Sequence, residues 1–446
     1  MLTNSPVVFF GIITLLAVSI HLYLWARLVR STTRPGRGRR IGTITIAGLA
    51  ILGVVAFMIT RTIGVDAWWL AWLGYVWIAL MFYLVLGLLV LEVPRAAVTL
   101  WWRRARSRSA AAGTTSSPGT ARPRSAAALV GTPRSRLETT TRAAGHETTT
   151  AGEPSDLDIP EQPPELVDPG RRLFLARACA VAACCTAAGI VGYGMRTAFG
   201  DLRTVRVTVP INGLDSRLSG FRIALISDTH FGPFLHKELA ERIVTLVNRE
   251  QPDMVAIAGD LADGTVSEIG LASEPLRRLR SRHGTYFVTG NHDYSSGVDE
   301  WIDQVRNLGM RPLLNERAEI TSGSAAFDLA GVNDVMAPLY ERPGPDFAAA
   351  LGDRDPGRPV ILLAHQPVQV HAAVQHGVDL QLSGHTHGGQ TAPFDRLIGL
   401  QQPVVAGLAR KGRTSIFVTR GAGLFGPPVR AGIPPELAIV ELQSRS

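Results

Sequence analysis

Phe221-Arg-Ile-Ala-Leu-Ile-Ser-Asp-Thr-His230 decides how the second half of this chain is read. Its first six residues form a short run of mostly apolar side chains, the pattern of a buried strand. The run ends in Asp228 and His230. Side chains alternate along an extended chain, so residues two apart point the same way. A carboxylate and an imidazole are thereby aimed at one place. The pattern recurs downstream: Met254-Val-Ala-Ile-Ala258 leads into Gly259-Asp260, and Thr285-Tyr-Phe-Val288 into Gly290-Asn291-His292-Asp293. Val360-Ile-Leu-Leu363 leads into Ala364-His365-Gln366, and Leu380-Gln-Leu382 into Gly384-His385-Thr386-His387-Gly388.

Ser415-Ile-Phe-Val418 is a further short strand, while residues 239–247 and 301–308 carry apolar side chains at helical spacing. Strands alternating with helices over residues 201–446 predict one α/β domain with an ample core. Ligands of open α/β sheets sit outside the carboxyl ends of the strands, which is where these polar residues fall. A lone Gly-Asp at a strand end is usually a turn. Five such turns in order, each carrying His, Asp or Asn, point to a metal site. Mixed imidazole and carboxylate donors suit first-row divalent ions such as Mn, Fe, Zn or Ni.

The first half of the chain is built differently. Of 446 residues 46% are hydrophobic and only 18% charged, and the mean hydropathy is +0.15. Much of that apolar character lies in runs at 7–29, 41–60 and 68–93, each long enough to cross a hydrocarbon layer of about 30 Å as a helix. A shorter fourth run, 178–194, reads as a fourth transmembrane helix leading out again from Arg171, Arg172 and Arg177; it carries Cys179, Cys184 and Cys185, the only cysteines, too few for a disulfide framework. Residues 103–170 are rich in Ala, Ser, Thr, Pro, Gly and Arg, turning acidic between Asp156 and Asp168. They lack periodicity and read as a disordered cytoplasmic linker.

The net charge of +8 alone would invite a nucleic-acid reading. Arg30, Arg34, Arg37, Arg39 and Arg40 follow the first run, however, and Arg95, Arg103, Arg104, Arg106 and Arg108 follow the third. Arginines so placed hold loops in the cytoplasm. The expected topology is multi-pass, with residues 201–446 on the extracytoplasmic side, and no specific nucleic acid is expected as a partner.

At this point the motifs resemble a known family. The order Asp-x-His, Gly-Asp, Gly-Asn-His-Asp, His, Gly-His-x-His over residues 201–446 is similar to that of the calcineurin-like metallophosphoesterases. Ala364-His-Gln-Pro367 and Arg420-Gly-Ala-Gly-Leu-Phe-Gly-Pro-Pro428 resemble the membrane-attached or exported bacterial phosphodiesterases among them. The resemblance implies a two-sheet β-sandwich flanked by helices, and hydrolysis of a phosphoester with two divalent ions, Mn, Fe or Zn. It implies that Asp228, His230 and His387 hold one ion, that Asn291, His365 and His385 hold the other, and that Asp260 bridges them. His292 would contact the phosphate and protonate the leaving oxygen, and Asp293 would orient that imidazole. Thr229 stands where relatives more often have Leu, its side chain expected to point away from the ions. Arg171-Arg172 before the fourth run resembles a twin-arginine export signal in an internal position. Val181-Ala-Ala-Cys184 also resembles a lipobox, although Arg177 interrupts the preceding apolar stretch.

The expected enzyme is therefore a metal-dependent phosphoric ester hydrolase of a bacterial cell membrane, cleaving a phosphodiester or pyrophosphate of the envelope. Its expected partners are the bilayer and a phosphoester, lipid-linked or free. An extracellular nucleotide or nucleic-acid phosphodiesterase is the alternative within enzymes. An inactive membrane receptor or scaffold is the alternative outside them, and the intact ligand set argues against it. Two further features bear on a lipid role. Arg410, Lys411, Arg413, Arg420 and Arg430 make the C-terminal region basic, and Phe231, Phe234 and Phe425 could line an apolar mouth.

Overall fold

In this computed structural model the described residues are 6–62, 68–113 and 169–445. Those up to Leu91 and from Ala176 onward form one packed unit, and Glu92–Leu175 a second. The chain opens with α1 (Pro6–Leu24), which runs on through a π turn at Trp25–Arg30, then α2 (Arg37–Thr62), α3 (Trp68–Gly113) and α4 (Pro169–Ala198). Among the described residues three helical stretches are long and apolar enough to cross a membrane: Arg37–Ala56, Trp68–Trp102 and Gly170–Ala198. The first expected span rests partly on side chains outside those described. The third is longer than expected, because α3 continues to Gly113 into what reads as linker. Strong helix formers such as Ala and Arg in 103–112 permit that extension. The rest of the expected linker, 114–168, lies outside the described residues.

The remaining elements include the six strands and two helical stretches read from the sequence, together with strands and helices it did not reveal. They are β1 (Arg203–Asn212), β2 (Phe221–Ile226), α5 (Lys237–Glu250), β3 (Met254–Ile257), α6 (Val266–Ser273), β4 (Thr285–Phe287), α7 (Asn291–Ser295), α8 (Val298–Asn307) and β5 (Arg311–Pro312). There follow β6 (Glu316–Ser322), β7 (Ala325–Gly331), α9 (Phe347–Leu351), β8 (Val360–Leu363), α10 (Val370–Gln375), β9 (Leu380–Ser383), α11 (Asp395–Ile398), β10 (Gly407–Lys411), β11 (Thr414–Val418) and β12 (Glu436–Arg445).

Two mixed six-stranded sheets result, in the orders β1-β12-β2-β3-β4-β5 and β10-β11-β9-β8-β7-β6. Their inner faces meet in a core that joins Ile223, Leu225 and Val288 from one sheet to Phe327, Ile361 and Leu382 from the other. The outer face of the first sheet buries Ala224, Ile226 and Ile257 against Leu239, Ile243 and Trp301 on the helices. The strands β2, β3 and β4 run parallel in one sheet, as do β8 and β9 in the other. The loops that leave their carboxyl ends gather the candidate ligands from both sheets.

The apolar helices also pack on this domain. The Trp72 ring stacks on Phe199 with centroids 5.6 Å apart, and Trp72 and Tyr75 both meet the Phe234 ring edge-on at 5.7 Å. Further along α3, the Tyr83 hydroxyl donates to Ala392 O at 2.9 Å and Phe82 meets Phe394 edge-on. On α4 the Gly194 carbonyl accepts from Arg430 N at 2.9 Å, and a Cβ at Gly194 would collide with Val429 Cγ1.

Candidate metal centre

The site begins with strained backbone. Asp228 (φ 54°), His230 (φ 44°), Asp260 (φ 53°), His385 (φ 72°) and His387 (φ 51°) all adopt the left-handed conformation that side chains disfavour. Each such residue costs of order 1–3 kcal/mol and persists only where its surroundings over-determine it. Here the strain turns side chains inward from the strand ends, and the neighbouring glycines leave room for them. A Cβ on Gly290 would collide with Asp260 Oδ1, and one on Gly384 with Asp228 Oδ2.

Three groups of possible metal ligands lie here, the ligand atoms within each group falling within 4.8 Å of one another. They are Asp228, His230 and His387; Asp260, His365 and His385; and His230, Asp263 and His292. His230 Nε2 is 3.0 Å from His387 Nε2, and His387 Nε2 is 3.5 Å from Asp228 Oδ1. His365 Nδ1 donates to Ala258 O at 2.7 Å, which leaves Nε2 as the inward nitrogen. That Nε2 faces Asp260 Oδ2 at 3.1 Å in a buried ion pair, and Asn291 Oδ1 is buried with no hydrogen-bond partner. Buried polar atoms are ordinarily partnered. A carbonyl oxygen left without a partner beside buried imidazoles and carboxylates is what a divalent cation would complete, so the donors present fit such an ion. All seven expected ligand residues are thus gathered at one end of the sandwich, six of them in the grouped sets and Asn291 through its bare oxygen.

Packed together, these groups shift one another's protonation. Burial by itself would raise Asp260 and lower His365, but their mutual attraction wins: Asp260 is held well below the usual carboxylate range and His365 well above the usual imidazole range. His385 is depressed to about 3 by burial and by the neighbouring His365 charge.

The expected role of Asp293 is corrected. Its Oδ2 accepts from Gly290 N at 2.8 Å and Asp260 N at 3.0 Å, and its Oδ1 accepts from Leu261 N at 2.8 Å. It ties the β3 and β4 loops together and does not orient the His292 ring. The reason is local: Asp293 is the third residue of α7, where an acidic side chain reaches back to the N–H of the capping residue, here Gly290. Burial, with Asp260 nearby, pushes its carboxyl up to about 7.

The residue on the His292 ring is Asp263, which the sequence reading missed. Its Oδ1 lies 2.7 Å from His292 Nδ1 and 2.9 Å from His230 Nδ1. The signal was a second carboxylate three residues after Asp260 on the same loop. Burial would depress His292, but Asp263 and then Asp260 outweigh it and push the imidazole up to about 9. Thr229 does point away from the ligands, its hydroxyl donating to Leu261 O at 2.8 Å.

Two of the five basic residues are engaged in the tail loop. Arg430 is fully buried, its Nη2 lying 3.0 Å from His387 Nδ1 and its Nε donating to Gly423 O at 2.8 Å. Arg420 Nη1 pairs with Glu436 Oε2 at 2.9 Å. Both serve the tail loop and leave no free cationic face between them. Of the three phenylalanines, Phe231 is core and Phe234 is covered by α3. Only Phe425 stands at the mouth, half exposed, its ring 5.1 Å from that of His292 and 6.0 Å from that of His230.

Comparison with known proteins finds relatives of the chain. Residues 221–389 match the family model described as calcineurin-like phosphoesterase. The chain is 38% identical over 260 residues to a zebrafish transmembrane protein with metallophosphoesterase domain, covering 56% of this chain and 60% of that one. It is 37% identical over 255 residues to a Helicobacter pylori metallophosphoesterase, covering 57% of this chain and 68% of that one. Among solved structures, a dimetal phosphatase from Danio rerio is similar with a TM-score of 0.33 and 13% identity, over 50% of this chain and 93% of that one. With the strand ends that carry the candidate ligands inside the matched region, the chain belongs to the calcineurin-like metallophosphoesterase family.

Proposed function

We propose that the protein is a membrane-anchored phosphoesterase that uses two divalent ions, Mn, Fe or Zn, to hydrolyse a phosphodiester or pyrophosphate of the cell envelope. Asp228, His230 and His387 would hold one ion, Asn291, His365 and His385 the other, and Asp260 would lie between them. The observation that carries this reading is the buried, unpartnered Asn291 Oδ1 at the end of the sandwich that gathers the grouped His and Asp side chains. Two such ions, when bound, neutralise an anionic phosphoester and lower the pKa of a bound water.

The protein's own groups supply the remainder. His292, held protonated by Asp263, donates a proton to the leaving oxygen, an effect worth about 10²–10⁴-fold in general. Asp293 fixes the loop that presents it. The arginine distribution supports a cytoplasmic placement for the loops after α1 and α3 and an extracytoplasmic one for the catalytic domain.

The test uses the full-length protein in detergent with Mn²⁺ and bis-p-nitrophenyl phosphate. Asp260→Asn should abolish turnover and lower bound metal, whereas His292→Ala should lose turnover about 100-fold or more with metal retained. Full activity in either variant refutes the assignment.

A further inference from the structure

The loop that follows the last ligand motif is unusual for a water-facing surface. Phe394 is 41% exposed, Leu397 54% and Leu400 82%, all within a few residues of α11. Met336 and Leu339, on the loop after β7, and Phe425 are exposed at the same end of the sandwich. β7, β8, β9 and β11 run parallel, so these loops leave the strand ends that carry His365 and His385. The apolar rim and the candidate metal centre therefore share one end. Exposed apolar patches of this kind mark partner or membrane surfaces.

The contacts with α3 identify the partner. The apolar stretch Trp68–Trp102 is 35 residues long, about 52 Å as a helix, whereas a hydrocarbon core of about 30 Å takes only about 20. Tyr83 lies roughly 15 residues past Trp68, and it donates to Ala392 O while Phe82 meets Phe394. If the core is set as far toward Trp102 as it will go, its edge falls at Tyr83. Every other placement buries Tyr83 deeper. In each case the segment beginning at Ala392 touches α3 at or below the membrane surface.

We propose that residues 392–400 form a wedge inserted in the bilayer beside the metal centre, so that the site opens at the membrane surface and takes a phosphoester of a membrane-resident amphiphile. This rests on the phosphoesterase reading above and adds to it the class of substrate. The wedge gives exposed Phe394, Leu397 and Leu400 the hydrocarbon they lack in water. It also sets the phosphate-binding end where a lipid's phosphate would already lie. Phe425, exposed at the mouth, would meet the first part of an acyl chain.

The test keeps the two readings apart. For insertion, Leu397→Cys and Leu400→Cys are made in a full-length background with Cys179, Cys184 and Cys185 changed to Ser, labelled with a nitroxide and reconstituted in phosphatidylcholine–phosphatidylglycerol vesicles. Collision with oxygen should exceed collision with a nickel chelate at both sites. Ser216→Cys, exposed at the opposite end of the strands, should show the reverse. An aqueous signature at both Leu397 and Leu400 overturns the wedge whatever the activity.

For substrate class, hexadecyl p-nitrophenyl phosphate in those vesicles is compared with soluble methyl p-nitrophenyl phosphate. Wild type should favour the hexadecyl ester at least tenfold in kcat/KM, and Leu397→Asp with Leu400→Asp should lose that preference while cleaving the methyl ester within about twofold of wild type. Equal use of the two esters by wild type overturns the membrane-substrate claim. Absence of metal-dependent cleavage of both esters refutes the phosphoesterase reading instead, and the nitroxide result still decides the wedge.

Discussion

Asp263 Oδ1 stands 2.7 Å from Nδ1 of His292, the hydrogen-bonding distance of a carboxylate that both orients an imidazole and keeps it charged. With Nδ1 so engaged, Nε2 is the nitrogen free to face substrate.

Asp263→Asn should keep the ring roughly in place but remove the charge that favours its protonated form. Burial acts to lower His292, and Asp263 is the foremost group opposing it, so removing that charge lowers the pKa from about 9. An acid catalyst works while protonated, so the rate holds below its pKa and falls as pH rises through it. The alkaline limb of the kcat profile should therefore shift to lower pH in Asp263→Asn, with kcat at pH 8 reduced about tenfold or more. An unmoved limb would separate Asp263 from the proton transfer.

Asp293 carries a different burden. Three backbone N–H groups from two strand-end loops end on its carboxylate, and an unpartnered buried donor costs about 1–3 kcal/mol. Asp293→Ala should lower the thermal midpoint of the detergent-solubilised protein by several degrees or more. His292→Ala, whose ring is partly exposed, should shift it far less. Equal midpoints for the two variants would show that the loops are held by something else.

Arg430 is the buried cation of the tail. Its guanidinium bonds carbonyls of Arg420 and Gly423 and touches His387, while its backbone N–H is fixed to α4 through Gly194 O. Burial lowers its pKa to about 10, still well above neutrality, so it remains charged. Arg430→Met keeps much of the volume but strands those carbonyls. Limited proteolysis should then cut within residues 420–433 at least tenfold faster, and kcat/KM should fall by a similar factor. Wild-type proteolysis rates would rule out the clamp.

Which of these features the sequence made legible follows from their physics. The six strands read from it are largely buried runs, where apolar side chains on both faces leave a continuous signal, although β7 and β12, interior and largely buried as well, were not read from it. β1, Arg-Thr-Val-Arg-Val-Thr-Val, alternates because it is a half-exposed edge strand, and a search for continuous runs passes over it. β6 and β10 are edge strands of the same kind. Asp228, His230, His385 and His387 were readable because ligand types recur two residues apart just past a strand end, although left-handed backbone, and not the alternation of an extended strand, brings them together. Asp263 was not, because its partners are rings from two other loops. Asp293 was misassigned because what it binds is backbone, and backbone N–H groups leave no trace in residue types.

The position of β12 has a bearing on how this protein comes to exist. It lies between β1, its parallel neighbour, and β2, its antiparallel one, so two strands made early are joined by one made about 200 residues later, a long-range pairing of the kind that slows folding. During synthesis the ligands of β2 and β3 therefore emerge on an incomplete sheet with an open edge, the state in which nascent chains recruit chaperones or misassemble. Binding of a metal ion at the candidate site would then wait for that late closure, and until then the open sheet edge is free to mispair.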